Sequence, residues 1–335
     1  MYEYLSNVIF CQNIFPSHEI YDGITNLFSC VHCRHLFCST LFYSVLFYHT
    51  ANADGNGLVG TLPLEMYLLS DMTDLVIINN TITGTLPQAF GNNATQLRSL
   101  LLPYNELTGT IPDNYLESSP LEFVHLGSNL LSGPIPTNVG NTTYLQQLDL
   151  SGNSLTGNIP DTIGGYAALE ALSFANNMLL GSIPEEIYSS LANLKFLHLN
   201  GNKLSGTVAS LIGELLSLKE LRIGDSNLGG ILPDELYALT SLAELDISQA
   251  QFEGRLSLGL LNLGALEKLI VNDNKLIGTV PASFGSMSTL SDLVLQGNEL
   301  SGSMPDTICL LREDNLKVLT ADCEKLTCDC CSTCF

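Results

Sequence analysis

The segment Leu145–Pro160 reads LQQLDLSGNSLTGNIP, and its pattern returns along most of the chain. When the copies are aligned on Asn153, successive copies lie 24 or 25 residues apart. The residues at the aligned position are Asn56, Asn80, Asn105, Asn129, Asn153, Asn177, Asn202, Ser226, Ala250, Asn274 and Asn298. A short period held this constant predicts a solenoid, in which each repeat forms one coil that stacks on the next.

The pattern assigns an environment to each side chain of a coil. Alternate residues of a strand point to opposite faces, so we expect Leu148 and Leu150 in the core and Asp149 and Ser151 on the other face. We expect Asn153 at an inner turn, where its amide bonds backbone groups that are costly to leave unpaired. The same structural role is predicted for Asn80, Asn105, Asn129, Asn153, Asn177, Asn202, Asn274 and Asn298.

The return path of each coil has an apolar position of its own, ten residues after the aligned one. Its members are Met66, Phe90, Tyr115, Val139, Ile163, Ile187, Ile212, Leu236, Leu260, Phe284 and Ile308. All of them are apolar or aromatic, which predicts a second inward-facing column.

Two neighbouring coils depart from the pattern, with Ser226 and Ala250 at the aligned position. The loss of an internal hydrogen bond costs about 0.5–1.5 kcal/mol. We expect Ser226 to keep part of its bond and Ala250 to keep none. We favour drift within a tolerant stack over a hinge at this point.

The LxGxIP half that follows Asn153 resembles the plant-type leucine-rich repeat, and the match runs over Gly57–Pro305. The resemblance implies an α/β solenoid, a right-handed curved leucine-rich-repeat superhelix with a parallel concave β-sheet and about 11 repeats of 24–25 residues. It also implies a second short strand at the GxIP segment. An extracellular or receptor-ectodomain setting follows from the resemblance, with ligands on the concave or lateral face. The cysteine-rich C-terminal end is more similar to repeat proteins of diatoms and related algae.

The sequence predicts three parts. Residues 1–52 form a non-repeat N-terminal extension. We expect this extension to be poorly ordered, or the chain to begin at a start that is not the natural one. Residues 53–308 form the solenoid, and residues 309–335 form a cysteine-rich cap. The family's N-terminal cap, with its paired cysteines and Trp-rich segment, is absent. In the extension, CVHCRHLFC at residues 30–38 has spacing that fits zinc. Because no second ligand pair is evident, we expect no metal and no cofactor.

The charge balance narrows the class of partner. Acidic residues outnumber basic ones by 34 to 12, giving a net charge of −22. This argues against nucleic acid and anionic membrane surfaces, which need a basic face. Either solubility, which we favour, or a cationic partner such as Ca²⁺ accounts for the acidity. The uncharged run Leu36–Tyr48 is shorter than the ~20 residues of a membrane helix, so we expect no direct membrane insertion.

The C-terminal part contains an even set of cysteines, which indicates a stapled cap over the last coil. The disulfide candidates are Cys309, Cys323, Cys328, Cys330, Cys331 and Cys334. Six cysteines allow 15 pairings, and the sequence does not choose among them. Disulfides are favoured over metal binding, and they indicate an oxidising compartment. The glycosylation candidates are Asn79, Asn93 and Asn141. We therefore expect an extracellular or cell-surface location, although no signal peptide is visible.

The strand positions that face away from the core form a candidate binding surface. Its central part is polar and contains aromatic residues, which are suited to anchor a ligand on a rigid scaffold. The candidate ligand-binding residues are Phe123, His125, Asp149, Phe196, His198, Arg222 and Asp246. The alternative is that exposed sheet positions vary freely and some are aromatic by chance.

Catalysis is not expected. Asp149 between His125 and His198 fits acid–base chemistry by residue type. However, these residues lie on different coils, and no nucleophile adjoins them. A concave sheet also offers no enclosed pocket. The sequence therefore predicts a non-catalytic extracellular module that recognises a protein, peptide or glycan through its concave or lateral face. A structural cell-wall or matrix protein, or a secreted enzyme inhibitor, remains an alternative.

Overall fold

The computed structural model describes residues 50–52, 54–62, 70–88, 94–116, 120–137 and 144–335. Several residues singled out in the sequence lie outside this part of the chain. They are the Cys- and His-containing segment at residues 30–38, the column members Met66, Phe90 and Val139, and the glycosylation candidates Asn93 and Asn141.

One large parallel sheet contains thirteen strands in the part of the chain that is described, and their spatial order follows the chain. Each strand has two to four residues, as expected when one coil contributes one short strand. The strands are Thr50–Asn52, Asp74–Val76, Ser99–Leu101, Phe123–His125, Gln147–Asp149, Ala171–Ser173, Phe196–His198, Glu220–Arg222, Glu244–Asp246, Lys268–Ile270, Asp292–Val294, Val318–Ala321 and Thr333–Cys334.

The register of this sheet reproduces the sequence period. Leu148 pairs with Val124 on one side and with Leu172 on the other. All three are at most 1% exposed, and full burial of such a side chain stabilises by about 1.5–3 kcal/mol. The predicted leucine-rich-repeat solenoid is confirmed, because one frame position per coil builds a continuous core.

A second set of short parallel strands, the lateral strands, follows the aligned Asn position. Most of these strands begin one to three residues after that position, so they start before the GxIP segment at which the resemblance placed them, and some extend into it. In the Asn153 coil the strand is Ser154–Thr156 and precedes Gly157. The lateral strands are Val59–Thr61, Thr81–Thr83, Thr108–Gly109, Leu130–Pro134, Ser154–Thr156, Ser205–Gly206, Asn227–Gly230, Gln251–Arg255, Lys275–Gly278, Glu299–Leu300, Gly302–Ser303 and Leu326–Thr327.

Short helices occupy the return path. Several start directly after proline, which is extended at the N-cap, as at Pro160 and Pro184. The 3₁₀ helices are Asp113–Leu116, Asp161–Gly165, Ser210–Glu214, Asp234–Ala238, Leu258–Asn262 and Ala282–Ser286, and the α-helices are Glu185–Ser190 and Asp306–Leu311. The described members of the apolar column lie here and are buried.

Asparagine amides link neighbouring coils. Asn129 Oδ1 accepts a hydrogen bond from the Leu107 N–H at 3.0 Å, and its Nδ2 donates to the Leu102 and Leu126 carbonyls at 3.0 Å. Asn105, Asn153, Asn177, Asn202, Asn274 and Asn298 likewise accept from a backbone N–H and donate to carbonyls, and so does Asn80, which accepts from the Leu58 N–H. Leaving such groups buried and unpaired costs about 1–3 kcal/mol each.

The two irregular coils keep the stack continuous. The Ser226 hydroxyl donates to the Ile223 carbonyl at 2.8 Å, within its own coil. Ala250 has no polar group, and the Ile247 carbonyl accepts from Asn274 of the next coil at 2.8 Å. Strand pairing continues through both coils in an unchanged register.

The large sheet extends at both ends into segments that the sequence assigned to other parts. Thr50–Asn52 pairs with Asp74–Val76, and Val318–Ala321 pairs with Asp292–Val294. Leu319 and Ala321 are fully buried, as in a repeat coil. The six cysteines form the disulfides Cys309–Cys330, Cys323–Cys334 and Cys328–Cys331. The cap therefore consists of a further coil closed by three cross-links.

Candidate functional site

The outward face of the large sheet is built from the first and third residues of each strand. In Phe196–His198, as in most of these strands, the middle residue is buried and the flanking residues are partly exposed. Parallel pairing places Phe196 opposite Glu220 and His198 opposite Arg222. The face is therefore a grid of half-exposed side chains on a rigid backbone.

A network of ion pairs and hydrogen bonds, the charge cluster, crosses four neighbouring strands of this face. It consists of His198, Glu220, Arg222, Glu244 and Lys268. Glu220 Oε2 lies 3.0 Å from both His198 Nε2 and Arg222 Nη2. Glu244 Oε1 lies 2.6 Å from Arg222 Nε, and its Oε2 lies 3.0 Å from Lys268 Nζ. The Arg222 Nε–H is poorly aligned with the carboxylate oxygen, so this contact is an ion pair rather than a directed hydrogen bond.

The cluster sets the protonation of its members. Burial lowers the pKa of His198 below 6.5, and the Arg222 charge lowers it further, although Glu220 opposes both effects. Burial raises the pKa of the Glu244 carboxyl, but Lys268 and Arg222 outweigh burial and hold that pKa below its usual range. The hydrogen bond to Glu244 raises the pKa of Lys268. At neutral pH the cluster thus has two positive charges, two negative charges and a neutral imidazole.

Aromatic side chains lie beside the polar groups. The rings of Phe196 and His198 meet edge to face, with centroids 6.4 Å apart and an interplanar angle of 71°. Phe123 and His125 occupy the equivalent positions three strands away. His125 Nε2 lies 3.0 Å from Gln147 Oε1 on the next strand. The two Phe–His pairs are therefore alike in position but differ in the partner of the imidazole.

The two candidate aspartates lie on the outward face, and each accepts a hydrogen bond from a nearby serine of its own coil. Asp246 is opposite Arg222 in register, yet its carboxylate accepts hydrogen bonds from the Ser248 backbone at 2.9 Å and hydroxyl at 2.7 Å. Asp149 likewise accepts from the Ser151 N–H at 2.9 Å. A short side chain next to a free backbone donor satisfies that donor first.

Three members of the cluster, Glu220, Glu244 and Lys268, were not among the candidate residues of the sequence analysis. Their signal is a charged residue at the same frame position in consecutive coils, with Lys268 following the two acidic residues. Because Glu244 and Lys268 face each other across a parallel ladder, this step predicts an ion pair. Glu244 is only 7% exposed and is the centre of the network.

Among the described residues, the remaining candidates are not part of this face. Asn79 is exposed and has a φ of 53°, and its neighbour Asn80 points into the stack. Throughout the described residues, no helix is long and apolar enough to span a bilayer.

Comparison with known proteins agrees with the geometry. A family model described as leucine rich repeat matches residues 143–204. No curated protein matches by sequence. The fold is therefore a leucine-rich-repeat solenoid, and part of it matches the leucine-rich-repeat family model.

Several of the similar solved structures are plant receptors. The chain is 28% identical to the plant peptide hormone receptor RGFR1 in complex with RGF2, with a TM-score of 0.74, covering 81% of this chain and 42% of that one. It is 29% identical to the ectodomain of the Arabidopsis receptor kinase HAESA in complex with an IDA peptide, with a TM-score of 0.76 and coverage of 83% and 50%. The chain therefore spans half or less of the length of these receptors.

A plant ice-binding protein is also similar. Its structure is 25% identical to this chain, with a TM-score of 0.56. The similarity covers 76% of this chain and 80% of that one, so the two are close in length.

Proposed function

We propose that this chain is a non-catalytic, extracellular recognition module that binds a protein or peptide ligand through the outward face of its large sheet. The charge cluster beside Phe196 is the observation that supports this proposal. It combines a partly exposed aromatic ring with oriented charges on a rigid sheet, which are the usual components of a binding hot spot.

Preorganisation favours binding at this position. Arg222 and Lys268 are already held by Glu244, and Glu220 is held between His198 and Arg222. Side chains ordered before binding lose less conformational entropy when a ligand arrives. A ligand therefore meets both donors and acceptors in fixed positions.

The balanced charge of the cluster indicates the kind of ligand. The chain as a whole has a net charge of −22, whereas the cluster is neutral. An extended peptide with an apolar side chain for Phe196 and polar groups of both signs matches this face. The similar structures include the plant peptide hormone receptor RGFR1 in complex with RGF2 and the HAESA ectodomain in complex with an IDA peptide hormone, which supports the same class of ligand.

Two features support the non-catalytic and extracellular parts of the proposal. His125 and His198 are on strands three places apart, so the groups considered for acid–base work are not assembled. The three disulfides of the cap fit an oxidising compartment.

The test is selection from a library of random peptides on the full chain, followed by affinity measurement on variants. Phe196→Ala and Arg222→Ala are expected to weaken the selected peptides by about tenfold or more. Glu253→Gln, an exposed change on a lateral strand, is the control and should leave affinity unchanged. Retention of full affinity in both sheet variants would exclude this face.

A second candidate function, binding to ice, is favoured by a different surface. The lateral strands of the first coils display rows of Thr and Ser with few charges. The likeness to a plant ice-binding protein of similar length supports this candidate.

A further inference from the structure

We call the first, third and fifth residues after the aligned position of each coil its lateral positions. In the first five coils most of them carry hydroxyl groups, and we call this surface the hydroxyl face. Its members are Thr61, Thr81, Thr83, Thr85, Thr108, Thr110, Ser132, Ser154 and Thr156. Among the residues at lateral positions of these coils, all of which are described, Glu106 is the one with a charge. The same positions of the last five coils carry the charged residues Lys203, Glu253, Arg255, Lys275 and Glu299.

Several of these hydroxyl groups are fixed by the coil that precedes them. Their protons are donated to backbone carbonyls, so their oxygen lone pairs are left for an external donor. The bonds run from Thr81 to Leu58 at 3.0 Å, from Thr83 to Gly60 at 3.1 Å, from Thr108 to Gly84 at 3.1 Å and from Ser132 to Gly109 at 3.4 Å. The hydroxyl oxygens therefore occupy defined positions before any ligand binds.

A second set of threonines is restrained because the side-chain methyl group of each packs against a glycine of the next coil. Gly109 has a φ of 79°, and a Cβ there would lie 2.8 Å from the Cγ2 of Thr85. Gly133 stands in the same relation to Thr110, also at 2.8 Å. Each of these methyl groups fills the space that the next glycine leaves open, which limits side-chain rotation. The face is thus ordered along two columns of side chains.

The regular spacing of the backbone sets the spacing of the side chains on this surface. Neighbouring parallel strands lie about 4.8 Å apart, and alternate residues of a strand are separated by roughly 6.6 Å. Thr61 lies opposite Thr83, Thr85 opposite Thr108 and Ser132 opposite Ser154, so hydroxyl groups face each other across neighbouring coils as well as repeating along a strand. A two-dimensional array complements a ligand that is itself periodic.

We infer that the hydroxyl face is the surface through which this chain binds ice, an inference that rests on the second candidate function. Ice presents a periodic lattice of oxygen atoms that both donate and accept hydrogen bonds. Neutral hydroxyl groups match such a lattice without the strongly bound hydration of charged groups. The low number of charges, the fixed hydroxyls and the repeating spacing occur together only in the first half of the lateral strands.

A polysaccharide fits this surface less well. Sugar rings pack against aromatic faces, and no aromatic side chain occupies a lateral position of these five coils in the part of the chain that is described. The more charged second half of the lateral strands offers an internal comparison within one molecule.

The test compares three double variants of the full chain with the wild type. Thr83→Lys with Thr108→Lys places charges on the hydroxyl face, and Ser205→Lys with Ser301→Lys does so at the equivalent frame position in the second half. Thr83→Val with Thr108→Val removes the hydroxyls while keeping the shape. Circular dichroism and thermal unfolding establish that each variant is folded. The measured quantity is the fraction of fluorescently labelled protein incorporated into slowly growing ice.

The wild type and the Ser205/Ser301 variant are expected to enter the ice. Both Thr83/Thr108 variants are expected to fall to the level of a labelled inert protein. Equal incorporation of wild type and both Thr83/Thr108 variants would overturn the assignment of this face while ice binding itself stands. Exclusion of the wild type from ice would instead refute the second candidate function.

Discussion

The Arg222 guanidinium lies 2.6 Å from the Glu244 carboxylate on the neighbouring strand, and Glu244 is 7% exposed although its position faces outward. Lys268 approaches the same carboxylate from the other side at 3.0 Å. One nearly buried acid therefore holds two cations of the sheet face. Several measurable properties follow from this arrangement and from the stack beneath it.

Replacing Glu244 by Gln should destabilise the fold. The change leaves Arg222 and Lys268 without their shared partner, and because these cations are partly exposed we expect a loss of about 1–2 kcal/mol rather than the larger cost of a fully buried pair. Thermal unfolding measures the effect. Glu253→Gln, which is exposed, is the control, and equal melting temperatures for the two variants would contradict the prediction.

The contribution of Glu244 to the stability of the fold should depend on pH. Its pKa is lowered in the folded chain, so the stabilisation is present above the unfolded pKa of a glutamate, about 4.3, and is lost as pH falls through the lower folded value. The difference in stability between wild type and Glu244→Gln should thus shrink in acid. A difference that is constant from neutral pH to pH 2 would show that the charge is not responsible.

The His198 imidazole should titrate below 6.5 in the folded chain, because burial and the Arg222 charge both disfavour its protonation. Arg222→Ala removes one of these causes, so the pKa of His198 should rise, as measured by NMR of the imidazole ring. Glu253→Gln, an exposed change on a lateral strand, is the control and should leave the His198 pKa unchanged. An unchanged or lowered His198 pKa would contradict the coupling.

Restoring the asparagine ladder should stabilise the chain. Ala250→Asn places an amide between the two irregular coils, next to the Leu228 N–H, whose present bond to Ser226 is 3.3 Å long. We expect a gain of about 1 kcal/mol, seen as a higher melting temperature. Ala250→Asp lacks the amide donor and should gain less. A loss of stability in Ala250→Asn would show that the site does not accept the side chain.

Removing the Cys309–Cys330 disulfide should loosen the cap more than removing Cys328–Cys331. The first closes a separation of 21 residues and the second a separation of 3, which corresponds to roughly 3 and roughly 1.6 kcal/mol of loop entropy. Paired Cys→Ser variants, followed by hydrogen exchange of Val318–Ala321, measure this. Equal exchange in the two variants would argue against the loop-length account.

The sequence predicts the stack well because one leucine spacing decides it. Leu148 and its counterparts can be buried together only if every coil keeps the same register, so the period determines the pairing of the strands. The extra coil at Val318–Ala321 escaped prediction because it has Ala321 where the other coils have a larger apolar residue, and its cysteines dominate the segment.

The candidate site is less predictable from the sequence because each of its charged residues has several possible hydrogen-bond or ion-pair partners within reach. Asp246 faces Arg222 by register, yet the nearby Ser248 N–H satisfies it first. Glu244 takes Arg222 instead because its longer side chain reaches across to the neighbouring strand. Such choices depend on side-chain length and local backbone donors, which a repeat alignment does not include. The sequence does not determine the pairing of the six cysteines for a similar reason, since the pairing depends on how the cap folds back.

Hydroxyl-radical footprinting of the full chain with and without its best selected peptide tests most directly where the ligand binds. The backbone amides of the sheet are already protected by strand pairing, so side-chain oxidation is the informative signal. If the outward face of the large sheet binds the peptide, oxidation of Phe196 falls in the complex while that of Tyr144, a 63% exposed residue on the return path, is unchanged. Protection of Tyr144 with full oxidation of Phe196 would contradict the account.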